Sequence, residues 1–598
     1  LKPVADRLVA RASAYLTAPV LRVSTLGRGV PDPPDVLKGL GAASRIQGRA
    51  LTLAMAYLLR GERRYRDAAM SELDRAITEW PSWVDTAHEP PYDLMTGEMG
   101  LTLGVTYDWL YDVLSAEERT RLREGAERHV LEPYLAATTG RRTPMFWYRA
   151  VNNWNPVCNG GATVLAVSLF EESALAEPVL AASVPAMAAF WDRVAPDGGW
   201  DEGTGYWTYG FRYAFMAADA LRRAGRPEGA AYLARPGARA TGNFPLVFNP
   251  GTSLSASFGD STGRAADPLF YFLGREYRNA DFVWFQDRVP PRGVPSESWP
   301  EEALTLAWRP VDEAWLPEAT SGFRPTIPAV TSFPSIGWAM LASAQPDPPL
   351  FLAFKSGSLA ASHSHLDLNH VSVGVGSQMV LTELGSRPYP ADYFGSRTRP
   401  GYYEISTAGH NAVLVGGRGQ VFGRPGALRG PIEGAGYAEL TGVADGAYEV
   451  STPRARRTVV FVDRRYFVVF DEVAPASPAA IELRFHSYGT FAPRTGGWTV
   501  TLAGAALDVI PAGPASLAAS LTVPAGWIRP VNVLRLASDR PLDRLVHATV
   551  LAPRGAAPGA VTQESSGGEL RLGVGADRIV FRETPDGYVV ARVSTGAR

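Results

Sequence analysis

The chain has 598 residues, of which 46% are hydrophobic and 20% charged, the composition of an ordinary globular protein. A chain of this length exceeds what one hydrophobic core usually covers, so two or three domains are expected. The formal net charge of −2 provides no global field for a polyanion, which argues against nucleic acid as a partner and requires a local patch to bind any acidic polymer.

The first half of the chain has the apolar periodicity of paired helices. Between Ala43 and Glu79, apolar residues recur at the spacing of one helix face. Ser115 and Glu118 have the spacing of a capping box at a helix start. Helical hairpins repeated without strands predict a curved solenoid or toroid of paired helices. Further helices are expected at residues 99–114, 119–130, 161–170, 175–194 and 209–224.

The pattern changes near residue 325, where β-rich runs bounded by Gly, Pro, Asp and Asn begin. Residues 463–465 lie between two of these runs and predict the turn of a hairpin. We therefore predict an α+β multidomain chain, with antiparallel β-sandwich or sheet domains after the helices. The expected strands are residues 351–354, 370–375, 458–462, 466–470 and 587–591. The expected domains are residues 1–325 (helical), 326–510 (β-sandwich) and 511–598 (C-terminal β-sheet domain or extension).

Cys158 is the only cysteine, so no intrachain disulfide is possible. The sequence contains no apolar run long enough to cross a membrane, and no membrane association is expected. The first residue is Leu1 rather than methionine, which suggests a mature bacterial protein, secreted or periplasmic, whose leader has been removed. The sequence does not predict an oligomeric state.

A cluster of histidines provides the strongest functional signal. His363 and His365 belong to the segment Ser-His-Ser-His-Leu-Asp, and Glu383 and His410 follow. In an extended strand, residues i and i+2 point to one face, so the two imidazoles are expected side by side. Two imidazoles and a carboxylate suit a borderline cation such as zinc, and the remaining histidine would suit acid/base chemistry. The alternative is a set of ordinary, partly buried, hydrogen-bonding histidines.

Two polar segments interrupt the helical half. Residues 152–161 are rich in asparagine and precede an apolar helix, where amides commonly cap and form turns. Residues 197–207 combine glycines, carboxylates and aromatic rings. Such a loop can be a structural turn, but its aromatic residues could also stack on sugar rings.

The order of these motifs resembles the heparinase II/III family of polysaccharide lyases, which is related to alginate lyases and to dermatan sulfate epimerase. The motifs are N-N-x, D-G-x-x-x-E-G-x-x-Y, H-x-H-x-D, a strand ending in T-E, and A-G-H-N. The resemblance covers most of the chain and implies an incomplete (α/α) toroid followed by antiparallel β-sheet domains. It also implies a carbon–oxygen lyase that acts on an acidic polysaccharide.

The resemblance assigns roles to individual residues. Asn153 would stabilise the carboxylate of the enolate-like intermediate, and Asn152 would hold the loop. Tyr206 would protonate the leaving oxygen, and His363 would act as base for one C5 epimer. The metal ligands would be His365, Glu383 and His410, holding a mainly structural ion, with zinc the first expectation and manganese or calcium next.

One position departs from the family pattern. The residue after the paired asparagines is often histidine, whereas here it is Trp154, which can stack on a sugar but cannot exchange a proton. Its task must then fall to Asn153, Tyr206 or His363. Bidentate guanidinium groups suit carboxylates and sulfates. The expected substrate contacts are Asn152, Trp154, Trp207, Glu202, Arg397, Arg399 and Tyr393.

Several functions remain open at this point. The leading one is a lyase for glycosaminoglycans such as hyaluronan, chondroitin or heparan sulfate. The alternatives are an alginate lyase, a uronate C5-epimerase that uses the same base, and a carbohydrate-binding protein without activity. The motifs alone do not separate a lyase from an epimerase, or an endo-acting from an exo-acting enzyme.

Overall fold

The computed structural model describes residues 1–23, 36–37, 39–83, 91–140, 142–251, 254–261, 267–288, 297–311, 313–317, 322–514, 516–555 and 559–596. The chain divides into two compact units. The first unit consists of Leu1–Gly198, Tyr206–Gly242 and Ala266–Phe323. The second consists of Gly199–Gly205, Asn243–Ala265 and Arg324–Arg598.

The first unit is built from α-helices, with one short parallel pairing of Arg22–Val23 (β1) and Val36–Leu37 (β2). Most helices are amphipathic or almost wholly apolar and bury their apolar faces against each other. The helices of the chain, of which α12 lies in the second unit, are α1 Lys2–Tyr15, α2 Gly39–Arg60, α3 Arg63–Trp83, α4 Leu94–Leu110, α5 Ala116–Ala126, α6 Glu132–Thr138, α7 Gly161–Ser168, α8 Ala176–Arg193, α9 Thr204–Arg223, α10 Pro227–Leu233, α11 Pro236–Ala240, α12 Asn243–Phe248, α13 Leu269–Tyr277, α14 Ala280–Asp287 and α15 Glu301–Trp308.

Helices α4 and α7 pack at backbone contact. A Cβ atom added to Gly161 would lie 1.9 Å from the carbonyl oxygen of Gly97, and one added to Gly97 would lie 2.4 Å from that of Val157. No side chain fits at these separations, so glycine is required by the close approach of the two backbones. The sequence Thr-Gly-Glu-Met-Gly in α4 is therefore a packing motif.

We expect Gly161→Ala to destabilise the first unit by about 2–3 kcal/mol, because the added methyl must push two backbones apart. A matched control is Gly41→Ala in α2, where the nearest atom to an added Cβ is Leu37 Cδ2 at 4.0 Å. Alanine is the better helix former, so this control should keep or slightly raise the melting temperature. Equal melting temperatures for the two variants would contradict the packing argument.

The second unit is built mainly from antiparallel strands. These are β3 Val330–Phe333, β4 Trp338–Ala342, β5 Leu350–Lys355, β6 His370–Val375, β7 Gln378–Leu381, β8 Val413–Val415, β9 Ala427–Gly434, β10 Tyr437–Val443, β11 Arg454–Val462, β12 Tyr466–Ala474, β13 Ile481–Ser487, β14 Thr490–Arg494, β15 Gly497–Leu502, β16 Ala505–Pro511, β17 Leu517–Thr522, β18 Asn532–Ser538, β19 Leu545–Pro553, β20 Val561–Ser566, β21 Glu569–Val574, β22 Asp577–Thr584 and β23 Gly587–Ser594.

Among the residues that the structure describes, the strands of the second unit form four sheets, and the largest lies between the others. It has the order β14-β15-β16-β19-β12-β11-β10-β9. One of its faces shares a core with the sheets β3-β4-β5-β6-β7 and β17-β18-β13-β8, and its other face packs on β20-β21-β22-β23. This explains why β11 and β12 are continuous apolar runs, since a strand buried on both faces needs no polar alternation.

Most predicted elements are confirmed. Ser115 and Glu118 form the capping box at the start of α5. The runs at 458–462 and 466–470 pair as the hairpin β11–β12, with Val462 opposite Tyr466. The predicted helical N-terminal half and antiparallel C-terminal half are both observed. Among the described helices, none combines the length and the apolar character needed to cross a membrane.

The predicted domain boundaries need correction. The second unit resumes at Arg324, but it also takes Gly199–Gly205 and Asn243–Ala265 from the predicted helical domain. The boundary at 510/511 falls inside β16, and β19 lies in the middle of the same sheet. Residues 511–598 are therefore no separate domain, because their strands complete the large sheet and cover one of its faces.

Candidate active site and metal centre

The first unit places Asn153 beside the helix that carries Tyr206. A Cβ atom added to Gly210 of α9 would lie 3.2 Å from Cα and Cβ of Asn153. Residues 206 and 210 are one turn apart and lie on the same face of α9. Asn153 is 1% exposed, whereas Tyr206 is only partly buried. The amide and the phenol predicted to act together thus belong to one local structure.

The neighbouring asparagines have structural roles. Asn152 Oδ1 accepts a hydrogen bond from the backbone N–H of Trp154 at 3.1 Å, which fixes the turn. Nδ2 of Asn155 and Nδ2 of Asn159 donate to the carbonyl oxygen of Tyr148 at 3.2 and 3.1 Å. The asparagine-rich segment therefore builds the loop that holds Asn153.

Trp154 and Trp207 differ in accessibility. The partly buried ring of Trp154 lies 4.9 Å from that of Phe146, which is 57% exposed. Trp207 is fully buried, with its ring against Phe211 and Phe270 and its N–H donated to the hydroxyl of Thr241. The prediction that Trp207 contacts substrate is therefore wrong, because its ring belongs to the helical core.

The second unit brings the three predicted metal ligands together. His365 Nδ1 lies 3.2 Å from His410 Nε2. Glu383 Oε1 lies 3.6 Å from His365 Nδ1 and 3.5 Å from His410 Nε2. All three side chains are buried. Strand β7 ends two residues before Glu383, and His410 follows the short 3-10 helix Thr407–Gly409, whereas His365 lies in the irregular segment between β5 and β6.

The donor set and its spacing fit a tetrahedral metal ion. A zinc ion with ligands at about 2.0–2.1 Å holds its ligand atoms about 3.3 Å apart, close to the 3.2, 3.5 and 3.6 Å found here. The other ring nitrogen of each histidine is held by an oxygen. His365 Nε2 lies 2.9 Å from Asp260 Oδ1, and His410 Nδ1 lies 2.8 Å from the carbonyl of Ser406. Such outer contacts orient metal-binding imidazoles.

The electrostatics of this cluster also favour a cation. Burial lowers the pKa of His365, but hydrogen bonds to Asp260 and Glu383 outweigh it and raise this pKa to about 9. Burial raises the pKa of Glu383, yet the charges and hydrogen bonds of His410 and His365 hold it well below its usual value. Two carboxylates thus create a negative potential at the buried point between the ligand atoms.

His363 forms a pair with a carboxylate that the motifs did not identify. Its Nδ1 lies 2.9 Å from Oδ2 of Asp260. Burial lowers the pKa of His363, and Asp260 only partly opposes this change. In a neutral imidazole that donates from Nδ1, the lone pair that can accept a proton is on Nε2. The side chain of His363 is 11% exposed.

Two residues predicted to bind substrate contact Asp260 instead. The hydroxyl of Tyr393 donates to Oδ1 at 3.0 Å, and Nη2 of Arg399 donates to Oδ2 at 3.0 Å. Both side chains are almost fully buried, which argues against the expectation that they contact substrate. Arg397 is exposed. Glu202 is 2% exposed.

The two histidines of the motif do not lie on a strand. Residues 356–369 form turns and irregular structure between β5 and β6, and His363 has a φ of +59°. Asp367 is paired with Lys355, whose Nζ also contacts the hydroxyl of Ser364. The expected extended strand at His363 and His365 is therefore wrong. His363 and His365 meet because both bind Asp260.

Asp260 is the principal residue that the sequence analysis missed. It follows Phe258 and Gly259, about a hundred positions before the histidines, in a segment without regular structure. The only local signal is Gly259, whose φ of +75° marks a turn. A carboxylate in a glycine-containing turn is too common in sequences to predict this contact.

Known proteins resemble the chain in its C-terminal part and in its fold. Residues 326–553 match the family model described as "Heparinase II/III-like, C-terminal". A crystal structure of heparinase III is 14% identical, with a TM-score of 0.66 over 96% of this chain and 90% of that one. The heparan sulfate lyase HepC of Pedobacter heparinus is 12% identical, with a TM-score of 0.61 over 100% and 90%.

No curated protein matches the chain in sequence. At these identities the structural likeness establishes the fold, a helical part followed by antiparallel sheets. The matched segment contains His363, His365, Glu383 and His410. Residues 326–553 therefore match a heparinase II/III-like C-terminal domain, and the structural comparisons extend the likeness in fold to nearly the whole chain.

Proposed function

We propose that the protein is a polysaccharide lyase that cleaves an acidic, uronate-containing polysaccharide, with glycosaminoglycans the leading substrate class. The observation that carries this proposal is His363 in a heparinase II/III-like domain, with Nδ1 held 2.9 Å from a buried carboxylate. A neutral imidazole fixed in this way is equipped to remove a proton from carbon. The named lyases with the same fold support the substrate class.

β-Elimination removes the C5 proton of a uronate and expels the oxygen on C4. The neighbouring carboxylate must be stabilised while negative charge develops, and we assign this role to the buried amide of Asn153. One preorganised donor of this kind contributes about 3–4 kcal/mol in well-studied acyl transfer. Tyr206 supplies the proton to the leaving oxygen, and its position on the Asn153 side of α9 suits that role. Trp154 contributes an aromatic surface for a sugar ring.

His363 is the base for a C5 proton that faces it, because burial keeps its imidazole neutral. His365, Glu383 and His410 hold a divalent ion, for which zinc best suits the nitrogen-rich donor set. When bound, the ion supplies cross-linking of three segments in the second unit. We assign it a structural task, since its three ligands come from separate segments of the second unit.

The proposed activity can be tested with a panel of polysaccharides. Purified protein should be incubated with hyaluronan, chondroitin sulfates, heparan sulfate and alginate while ultraviolet absorbance of the new double bond is followed. Absorbance should rise with at least one glycosaminoglycan. Incorporation of deuterium at C5 without absorbance would indicate a uronate epimerase instead. Cleavage of alginate alone would show that alginate, and not a glycosaminoglycan, is the substrate. Inactivity on all four polysaccharides would contradict the proposal.

The metal centre makes a separate prediction. Zinc at one hundred times its dissociation constant should stabilise the folded protein by about 2.7 kcal/mol. His365→Ala and Glu383→Gln should abolish this gain because each removes one ligand. His129→Ala, which removes a histidine of the first unit, is the control and should retain it. Elemental analysis and thermal melting with and without zinc measure both effects. Protein that binds no zinc and whose melting is unaffected by chelators would rule out the site.

A further inference from the structure

One buried carboxylate contacts both histidines of the motif. Asp260 has a fully buried side chain that receives four donors. Oδ2 lies 2.9 Å from His363 Nδ1 and 3.0 Å from Arg399 Nη2. Oδ1 lies 2.9 Å from His365 Nε2 and 3.0 Å from the hydroxyl of Tyr393. Each oxygen therefore holds one histidine and one further donor.

This arrangement dictates where the protons lie on the two rings. An ionised carboxylate can only accept hydrogen bonds, and its contact with the Arg399 guanidinium favours the ionised form. His363 must then carry its proton on Nδ1, and His365 must carry its proton on Nε2. In the neutral His363, and in His365 when a metal ion takes the place of its second proton, the nitrogens without a proton are Nε2 of His363 and Nδ1 of His365. These are the nitrogens that a base and a metal ligand need.

We propose that Asp260 is a positioning residue that selects opposite tautomers for two neighbouring histidines and so assigns one to proton transfer and the other to metal binding. The inference rests on the proposed function for the role of His363. It also connects His363 to the proposed metal ligand His365. The connection runs through the two oxygens of Asp260 and not through a shared strand.

The backbone holds Asp260 in register with His363. The N–H of Asp260 donates to the carbonyl of His363 at 3.1 Å, and the hydroxyl of Ser386 donates to the carbonyl of Asp260 at 3.1 Å. A Cβ atom added to Gly259 would lie 2.6 Å from the same His363 carbonyl. The turn therefore lies directly on the histidine loop, and the carboxylate cannot shift without moving His363.

Asp260→Asn distinguishes positioning from simple packing. Asparagine has nearly the same shape, but one of its two terminal atoms is an N–H donor. Its oxygen can accept a hydrogen bond from only one histidine, so the other ring must change its tautomer or lose its partner. Tyr393→Phe is the matched control, because it removes a hydrogen bond to the same carboxylate without touching either histidine.

The tautomers can be observed directly in the resting protein. With eight histidines in the chain, selective ¹⁵N labelling and two-bond ¹H–¹⁵N spectra can resolve the rings of the zinc-loaded protein. We expect a proton on Nδ1 of His363 and on Nε2 of His365. Both assignments should persist in Tyr393→Phe, and at least one should be lost in Asp260→Asn. A wild-type His363 protonated on Nε2 would overturn the inference, even if the variant failed to fold.

Two further measurements separate this inference from the proposed function. Zinc affinity of Asp260→Asn should fall by about 10- to 100-fold, the usual effect of removing an outer partner of a metal ligand. If polysaccharide is cleaved, kcat should fall by at least about 10²-fold with little change in KM. Wild-type zinc affinity together with unchanged tautomers in Asp260→Asn would overturn the inference. If the expected tautomers were observed but no lyase activity were found, only the proposed function would be contradicted.

Discussion

Tyr206→Phe should lower the turnover of the proposed lyase by about 10²- to 10⁴-fold, the range typical of losing a general acid or base. The substitution removes one hydroxyl and keeps the ring that is part of α9. Substrate binding should therefore change little, and the loss should appear in kcat. Initial rates from double-bond absorbance, measured over a range of polysaccharide concentrations, separate kcat from KM.

The control for Tyr206→Phe is a second tyrosine of the first unit. The hydroxyl of Tyr148 donates to the backbone carbonyl of Ala182 at 3.0 Å. Tyr148→Phe therefore removes a hydroxyl of structural use and should leave kcat within a few-fold of the parent. Activity of Tyr206→Phe within the same few-fold range would assign the proton to another residue, and His363 would be next to test.

Local patterns predicted the architecture well. Helix periodicity, the capping box at Ser115 and the hairpin turn at residues 463–465 depend on neighbours in sequence, and the structure confirms them. The domain boundary at 510/511 depended on long-range strand order, which composition does not encode. Strand β19 enters the middle of the large sheet between β12 and β16, and nothing near residue 545 indicates that partner choice.

The site shows the same division between local and distant information. The motifs selected His365, Glu383 and His410, whose ligand atoms lie within 4.8 Å of one another. They also led to the incorrect prediction of a strand at His363, because the i, i+2 spacing of the two histidines was the only local pattern available. The actual constraint is Asp260, which is remote in sequence. The prediction that Trp207 contacts substrate failed for a related reason. Whether an aromatic residue near a helix start is buried depends on its tertiary neighbours.

Support for the metal ligands extends into the large sheet through Arg457. This residue on β11 is fully buried and contacts the carbonyl oxygens of Asn369 at 2.8 Å and Asn411 at 2.5 Å. Asn411 directly follows His410, a proposed metal ligand. Opposite Arg457 in the hairpin register lies Asp471, at 2.8 and 3.1 Å from its guanidinium nitrogens. The ion pair between Arg457 and Asp471 therefore helps to fix the backbone next to His410.

Asp471→Ala should destabilise the second unit by about 3–5 kcal/mol, because it leaves the Arg457 guanidinium buried without its counter-charge. Water cannot solvate that group, since Arg457 and Asp471 are 0% and 1% exposed as side chains. The displaced guanidinium should also release the carbonyl of Asn411 and weaken zinc binding at His410. Calorimetry gives the loss of stability, and zinc titration gives the loss of affinity.

The matched control is an ion pair at the surface of the same unit. Arg418 and Glu449 lie 3.8 Å apart with side chains 69% and 50% exposed. Solvent screens such a pair, so Glu449→Ala should change stability by less than about 0.5 kcal/mol and leave zinc affinity unchanged. If Asp471→Ala were as mild as this control, water or another anion would have to reach Arg457. The hairpin would then contribute nothing specific to the position of His410.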